Sequence, residues 1–208
     1  MSWMTTASGL NFNLARPAAG DILIEDIAHH LAHINRFNGA TCRPYSVAEH
    51  SILTMRIAGA VLGLRDPFGL LAALLHDAHE AYMGDLIQPL KVTLAMGGTF
   101  ASQVECGIER AVGERFSLQC PRAGYRFQLR KADLIALATE RRDLMPDSTE
   151  RWPILDGVEP WAEVQLRTEQ LERRQPAFWR AEFLAHFRRL RREIEAYRAA
   201  IPVTHSAE

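Results

Sequence analysis

The sequence predicts an all-α protein, a compact helical bundle with extra helices at its C-terminal end. Three observations predict it. Apolar residues recur at helical spacing along nearly the whole chain. Caps and prolines punctuate that pattern at helix-length intervals. Strand-like alternation is confined to Asp21 to Ile24. The 208 residues, 48% of them hydrophobic and 24% charged, suffice for a single domain with a buried core. The core is expected over about residues 25–150 and a helical extension over about residues 160–200.

Taken in order, Ser46-Val47-Ala48-Glu49 has the form of a capping box: the serine bonds the third amide of the helix and the glutamate bonds back. It opens a helix through about Leu62 that carries Ile52, Met55, Ile57 and Val61 inward. Asp66-Pro67 is a cap followed by proline at the first helical position, and it opens the most apolar helix, expected to end near Gly84. That helix is apolar on more than one face, which predicts a central place in the bundle. Further helices are expected over Ala101 to Phe116 and Tyr125 to Leu144, the second stopped by Met145-Pro146. The segment from Pro146 to Pro160, with Trp152, reads as a long loop of the kind that covers sites. Two charged helices, near Trp161 to Arg174 and Ala177 to Ala200, complete the chain. On the last, Phe183, Phe187, Leu190, Ile194 and Tyr197 form a packing stripe, and Arg188-Arg189-Leu190-Arg191-Arg192 reads as a solvated face.

A formal net charge of −1 leaves no basic excess to attract a nucleic-acid backbone, so no polymer partner is expected. Cys42, Cys106 and Cys120 are far apart and form no C-x-x-C pair. They are expected to be half-buried core residues in a reduced compartment rather than a disulfide framework or zinc ribbon. The N-terminus lacks a positive region followed by an apolar run, and the longest apolar stretch, Leu70 to Leu75, is too short to span a bilayer. The expectation is a cytoplasmic protein without membrane attachment, with a homodimer as the base-rate assembly.

The chemistry concentrates in Leu74-Leu75-His76-Asp77-Ala78-His79-Glu80-Ala81, where an apolar helix abruptly carries four polar residues. Burying ionisable groups costs several kcal/mol (about) unless each is paired or binds metal. On a continuous helix His76 and Asp77 lie about 100° apart with Glu80 between them, while His79 adjoins that face less directly. Other segments must complete a metal shell. The candidates are His50 and Asp133, the latter a lone carboxylate spaced among Leu129, Ala132, Ala136 and Leu137. Two imidazoles and two carboxylates suit one divalent ion of the Mn, Co, Mg, Zn or Fe kind and leave positions for water and a phosphate oxygen.

The order His … His-Asp … Asp resembles the HD superfamily of metal-dependent phosphohydrolases. Ile34-Asn35-Arg36-Phe37, Val47-Ala48-Glu49-His50-Ser51, Leu75-His76-Asp77-Ala78-His79-Glu80, Gly84-Asp85-Leu86 and Pro89-Leu90-Lys91 look most like its 5′-deoxynucleotidase branch. The resemblance runs from Ile34 to Leu144. It implies a helical HD-domain bundle, one divalent ion held by His50, His76, Asp77 and Asp133, and hydrolysis of (deoxy)nucleoside 5′-monophosphates. It further implies that Glu80 and Asp85 act at the reacting phosphate and that Arg36 grips it. Phe37 stands where that branch has tryptophan, and His79 where it has a small residue. Hydrolysis of a nucleoside triphosphate or alarmone is the alternative within the superfamily, and a metal-bound, non-catalytic interaction module the alternative outside it. Relatives that carry two metals need further histidines, and none lies between His79 and Asp133.

Overall fold

The computed structural model describes residues 2–98 and 101–200. About 63% of the described residues are helical, in ten α-helices and three short 3-10 turns, beside one two-stranded hairpin, so the fold is all-α. The strand content does not lie at Asp21 to Ile24. It lies in β1 (Trp3–Thr5) and β2 (Asn11–Asn13), paired antiparallel with Met4 opposite Phe12. Asp21 instead closes a 3-10 turn, and Ile24 begins α1 (Ile24–His33). A clamp explains where the hairpin sits: the Ser8 amide and hydroxyl both donate to the buried carboxylate of Asp26, at 2.7 and 2.8 Å. Phe12 then enters the core and stacks on Tyr82, ring centroids 4.1 Å apart.

The central rod is α2 (Val47–Ala60), which buries 11 of its 14 residues and packs against α1, α3 and α8. Ser46 caps it as predicted, accepting from the Glu49 amide at 3.2 Å. The Glu49 carboxylate does not complete the box. Arg43 takes it bidentately, at 2.5 and 2.9 Å, because a buried carboxylate gains more from a guanidinium than from one amide.

Asp66 caps α3 (Pro67–Leu74) by accepting from the Phe68 amide at 3.0 Å. The helix then stops at Leu74 rather than near Gly84. Residues 75–79 form tight turns before α4 (Glu80–Met83), with amide bonds reaching back three residues: Ala78 to Leu75, Glu80 to Asp77, Tyr82 to His79. Two side chains account for the break. The His76 ring takes the Ala73 carbonyl at 2.8 Å, the acceptor that a continuing helix would use for its own amide, and Arg122 takes the Leu75 carbonyl, also at 2.8 Å. The α4 turn is held from outside by His30, whose Nδ1 donates to the Ala81 carbonyl at 2.6 Å.

Beyond it follow α5 (Gln88–Met96), α6 (Ala101–Phe116), α7 (Gln119–Gly124), α8 (Arg126–Leu144), α9 (Glu169–Glu172) and α10 (Pro176–Ala200). The expected helix over Trp161 to Arg174 is reduced to α9. Side chains of α8 and the loop before α2 explain this: Thr139 accepts from the Trp161 amide, Arg142 donates to the Trp161 and Val164 carbonyls, Asp143 accepts from the Leu166 amide, and Arg43 donates to the Leu166 carbonyl. With many of its backbone groups satisfied from outside, the segment up to α9 runs as turns and irregular chain rather than as a helix.

The α10 stripe is core: Phe183, Phe187, Leu190 and Ile194 are buried against α1, α2 and α3, while Tyr197 remains exposed, its ring edge-on to that of Phe68. Helix α10 is therefore part of the packed bundle rather than an appendage. The cysteines differ from expectation. All three are free and exposed, because each falls on the outer face of its segment. No described helix is long and apolar enough to cross a membrane.

Candidate metal centre

Three elements bring the predicted ligands together. His50 comes from the fourth position of α2, His76 and Asp77 from the turn after α3, and Asp133 from the second turn of α8. The Nε2 atoms of His50 and His76 face each other at 3.2 Å. Asp77 Oδ2 lies 3.3 Å from the first and 3.1 Å from the second, and Asp133 Oδ1 lies 3.3 and 3.8 Å from them. His50 is fully buried, and one ligand atom from each of His50, His76 and Asp77 falls within 4.8 Å of the others.

The far side of each ring sets its tautomer. His50 Nδ1 meets the Glu140 carboxylate at 2.5 Å, and His76 Nδ1 meets the Ala73 carbonyl, an obligate acceptor. Both Nδ1 atoms therefore donate. In the neutral rings both Nε2 atoms then carry lone pairs, aimed at each other and at two carboxylates. Four acceptors converging on one point need a positive charge between them, from a proton or a cation. Buried His/Asp groups of this kind can hold a metal ion, and the donor set fits one: Nδ1 pinned by a carboxylate or carbonyl is how proteins orient a metal-ligating histidine.

Without a cation the electrostatics show the same demand. Burial opposes charge on His76, yet Asp77 and the hydrogen bonds from Asp133 and Asp77 outweigh it and push the ring up to about 9. Burial likewise opposes ionisation of Asp77, but His76 and His50 hold it well below the usual carboxylate range. Asp133 is lowered in the same way, by the same two rings.

The other predicted residues are nearby in distinct environments. Glu80 is buried, and its Oε2 has no hydrogen-bond partner among the described residues. Burial first, then the Asp77 and Asp85 charges, keep its proton on well above the usual range. In the tight turn Asp77 and Glu80, three residues apart, lie one above the other, whereas a continuous helix would set Glu80 between His76 and Asp77. Asp85 follows Gly84, whose φ of 82° and ψ of 165° are open in practice to glycine alone, and this turn carries the carboxylate back toward the centre. Burial raises Asp85, against the pull of Arg36. Arg36 is buried, with Nη2 on Glu140 at 3.2 Å and Nη1 3.7 Å from Asp77, and its Nε has no partner among the described residues. Its guanidinium lies 5.1 Å over the Phe37 ring, which sits 6.2 Å from Trp152 of the 146–160 loop.

Glu140 escaped the sequence reading. Fully buried, it binds His50, Arg36 and Tyr45 at once, the last at 2.9 Å. Its signal was the spacing Asp133, Ala136, Glu140, which places two carboxylates on one otherwise apolar face of α8; the following Arg141-Arg142 made the position look like a solvated helix end. His79 adjoins the metal face through Asp77 and Glu80, a ligand atom of each within 4.8 Å of its own, and its ring also faces Glu105 and Glu109 of α6.

The fold and centre define a helical bundle that buries a His/Asp cluster fit for a divalent cation. No family model matches the chain. It is 35% identical over 158 residues to an uncharacterised protein of Escherichia coli, YfdR, covering 76% of this chain and 81% of that one. It is also 42% identical over 120 residues to an uncharacterised protein of Rhodobacter capsulatus, covering 56% and 59% of the two chains. The chain belongs to the YfdR family.

Proposed function

We propose that the protein is an HD-type, metal-dependent phosphohydrolase that removes phosphate from (deoxy)nucleoside 5′-monophosphates. The observation that carries this reading is the convergence of His50, His76, Asp77 and Asp133 on one point, with both Nδ1 atoms already committed elsewhere. A divalent ion held by these four residues would lower the pKa of a bound water and draw charge from the phosphoryl oxygens.

The protein's own groups have complementary work. Arg36, held by Glu140, has donors left for a phosphate dianion and fixes it beside the metal ligands. Glu80, whose burial and neighbouring Asp77 and Asp85 charges favour its protonated form, can give that proton to the leaving 5′-oxygen as the phosphorus–oxygen bond breaks. Asp85, a carboxylate flanked by Arg36, can receive the proton of the attacking water. Phe37 and Trp152 place aromatic surface next to Arg36, where a base or sugar attached to a gripped phosphate would lie. Glu80→Ala tests the assignment: metal content should stay at the wild-type level while phosphate release from nucleotide monophosphates is lost. Normal turnover in that variant would overturn the acid role.

A further inference from the structure

We propose that His79, Glu105 and Glu109 form a second divalent-cation site beside the first centre. His79 projects from the turn between α3 and α4, and the two glutamates from successive turns of α6. His79 is 4% exposed, yet among the described residues neither ring nitrogen has a partner in hydrogen-bond geometry. Two carboxylates nonetheless close on it: Glu105 Oε1 lies 3.2 Å from Nε2, and Glu109 Oε1 lies 3.8 Å from Nδ1. One ligand atom from each of the three falls within 4.8 Å of the others.

Two features set this cluster apart from an ordinary buried ion pair. A buried imidazole without a well-directed hydrogen bond is unfavourable, and one aimed bond to either glutamate would avoid that cost. Glu105 and Glu109 also repel each other as like charges four apart on one helix, a repulsion that positive charge between them relieves. One imidazole and two carboxylates make an open three-ligand set suited to zinc, manganese, cobalt or iron(II), with remaining positions for water. Lys91 supplies part of the positive charge, its ammonium 2.8 Å from Glu105 Oε1, and so competes with a cation for that oxygen. Ligand atoms of Asp77, His79 and Glu80 also lie within 4.8 Å of one another, which makes the two sites neighbours.

The site is read from these side chains alone and does not depend on the hydrolase proposal. Its test is metal stoichiometry. Metal-stripped full-length protein is titrated with Co²⁺ by calorimetry, and bound metal is counted by mass spectrometry after gel filtration. Wild type should take two ions per chain. Glu109→Gln, a change at a half-exposed side chain, should take one, and Asp133→Ala should also take one, lost in the double variant. Lys91→Met should bind the second ion several-fold more tightly, since it removes the competitor, whereas a purely structural salt-bridge network would only lose stability. No ion lost on Glu109→Gln, or unchanged or weaker affinity of the Glu109-dependent ion in Lys91→Met, would overturn the proposal; a single wild-type ion that Glu109→Gln abolishes would keep this site and empty the first centre instead.

Discussion

Replacing Glu140 with glutamine should weaken metal binding without emptying the core. The carboxylate binds three groups: His50 at 2.5 Å, Tyr45 at 2.9 Å and Arg36 at 3.2 Å. Glutamine keeps the volume and one acceptor, so no cavity forms. What is lost is the charge that pins the His50 Nδ1 proton and neutralises Arg36. Partners of metal-ligating histidines are typically worth about 10–100-fold in metal affinity, or about 1.4–2.8 kcal/mol. Breaking a buried ion pair adds a stability cost of about 3–5 kcal/mol, taken at its low end because Arg36 keeps Asp77 within 3.7 Å. At this chain length that is a fall in Tm of roughly 6–12 °C. Calorimetric titration with Mn²⁺ and differential scanning calorimetry separate the two effects. Tyr45→Phe is the control, removing a neutral donor at a cost of about 1 kcal/mol and leaving metal affinity near wild type. A folded Glu140→Gln protein with wild-type metal affinity would refute the idea that Glu140 orients His50 for a cation.

Three further outcomes follow from the same geometry. In metal-free protein the His76 ring is raised to about 9 from 6.5, so the stability it contributes is complete below pH 6.5 and is lost as pH rises through about 9. Metal must displace that proton, and the His50 ring is also raised well above its usual value, so apparent Mn²⁺ affinity should climb at least about tenfold per pH unit up to about pH 9; a flat profile would contradict this. Gly84→Ala forces a side chain into backbone that glycine alone tolerates, so it should cost about 1–3 kcal/mol by thermal unfolding and lower turnover through Asp85, while metal content holds. Phe183→Ala, at a fully buried position of α10, should cost about 3–5 kcal/mol in denaturant unfolding; a loss near zero would mean that α10 is an appendage after all.

Much of the bundle was legible because its signals are local. Ser46 and Asp66 cap where a serine or aspartate precedes an apolar run, and Pro146 stops α8. The His/Asp cluster was legible for a related reason: a histidine, a His-Asp pair and an aspartate in apolar surroundings need a cation or a partner. What stayed hidden depends on contacts distant in sequence. The break after Leu74 has no glycine or proline to announce it and arises from Arg122 and from the His76 ring itself. The non-helical course of residues 161–168 is written in the side chains of Thr139, Arg142 and Asp143. α1 has its apolar stripe at Ile24, Ile27, Ala28, Leu31 and Ala32, but the neighbouring histidines and acids masked it. The second face of the 75–79 turn, with His79 toward α6, could not be read while the segment was taken as a continuous helix.

The most direct test of the account is phosphate release by metal-loaded wild type and by Asp77→Ala, with mono-, di- and triphosphate nucleotides assayed on the same samples. The account predicts that wild type with Mn²⁺ or Co²⁺ releases phosphate from (deoxy)nucleoside 5′-monophosphates, that chelation stops it, and that Asp77→Ala is inactive at every metal concentration. Metal-loaded wild type inert on all three classes, or an Asp77→Ala protein that still turns over, would contradict it.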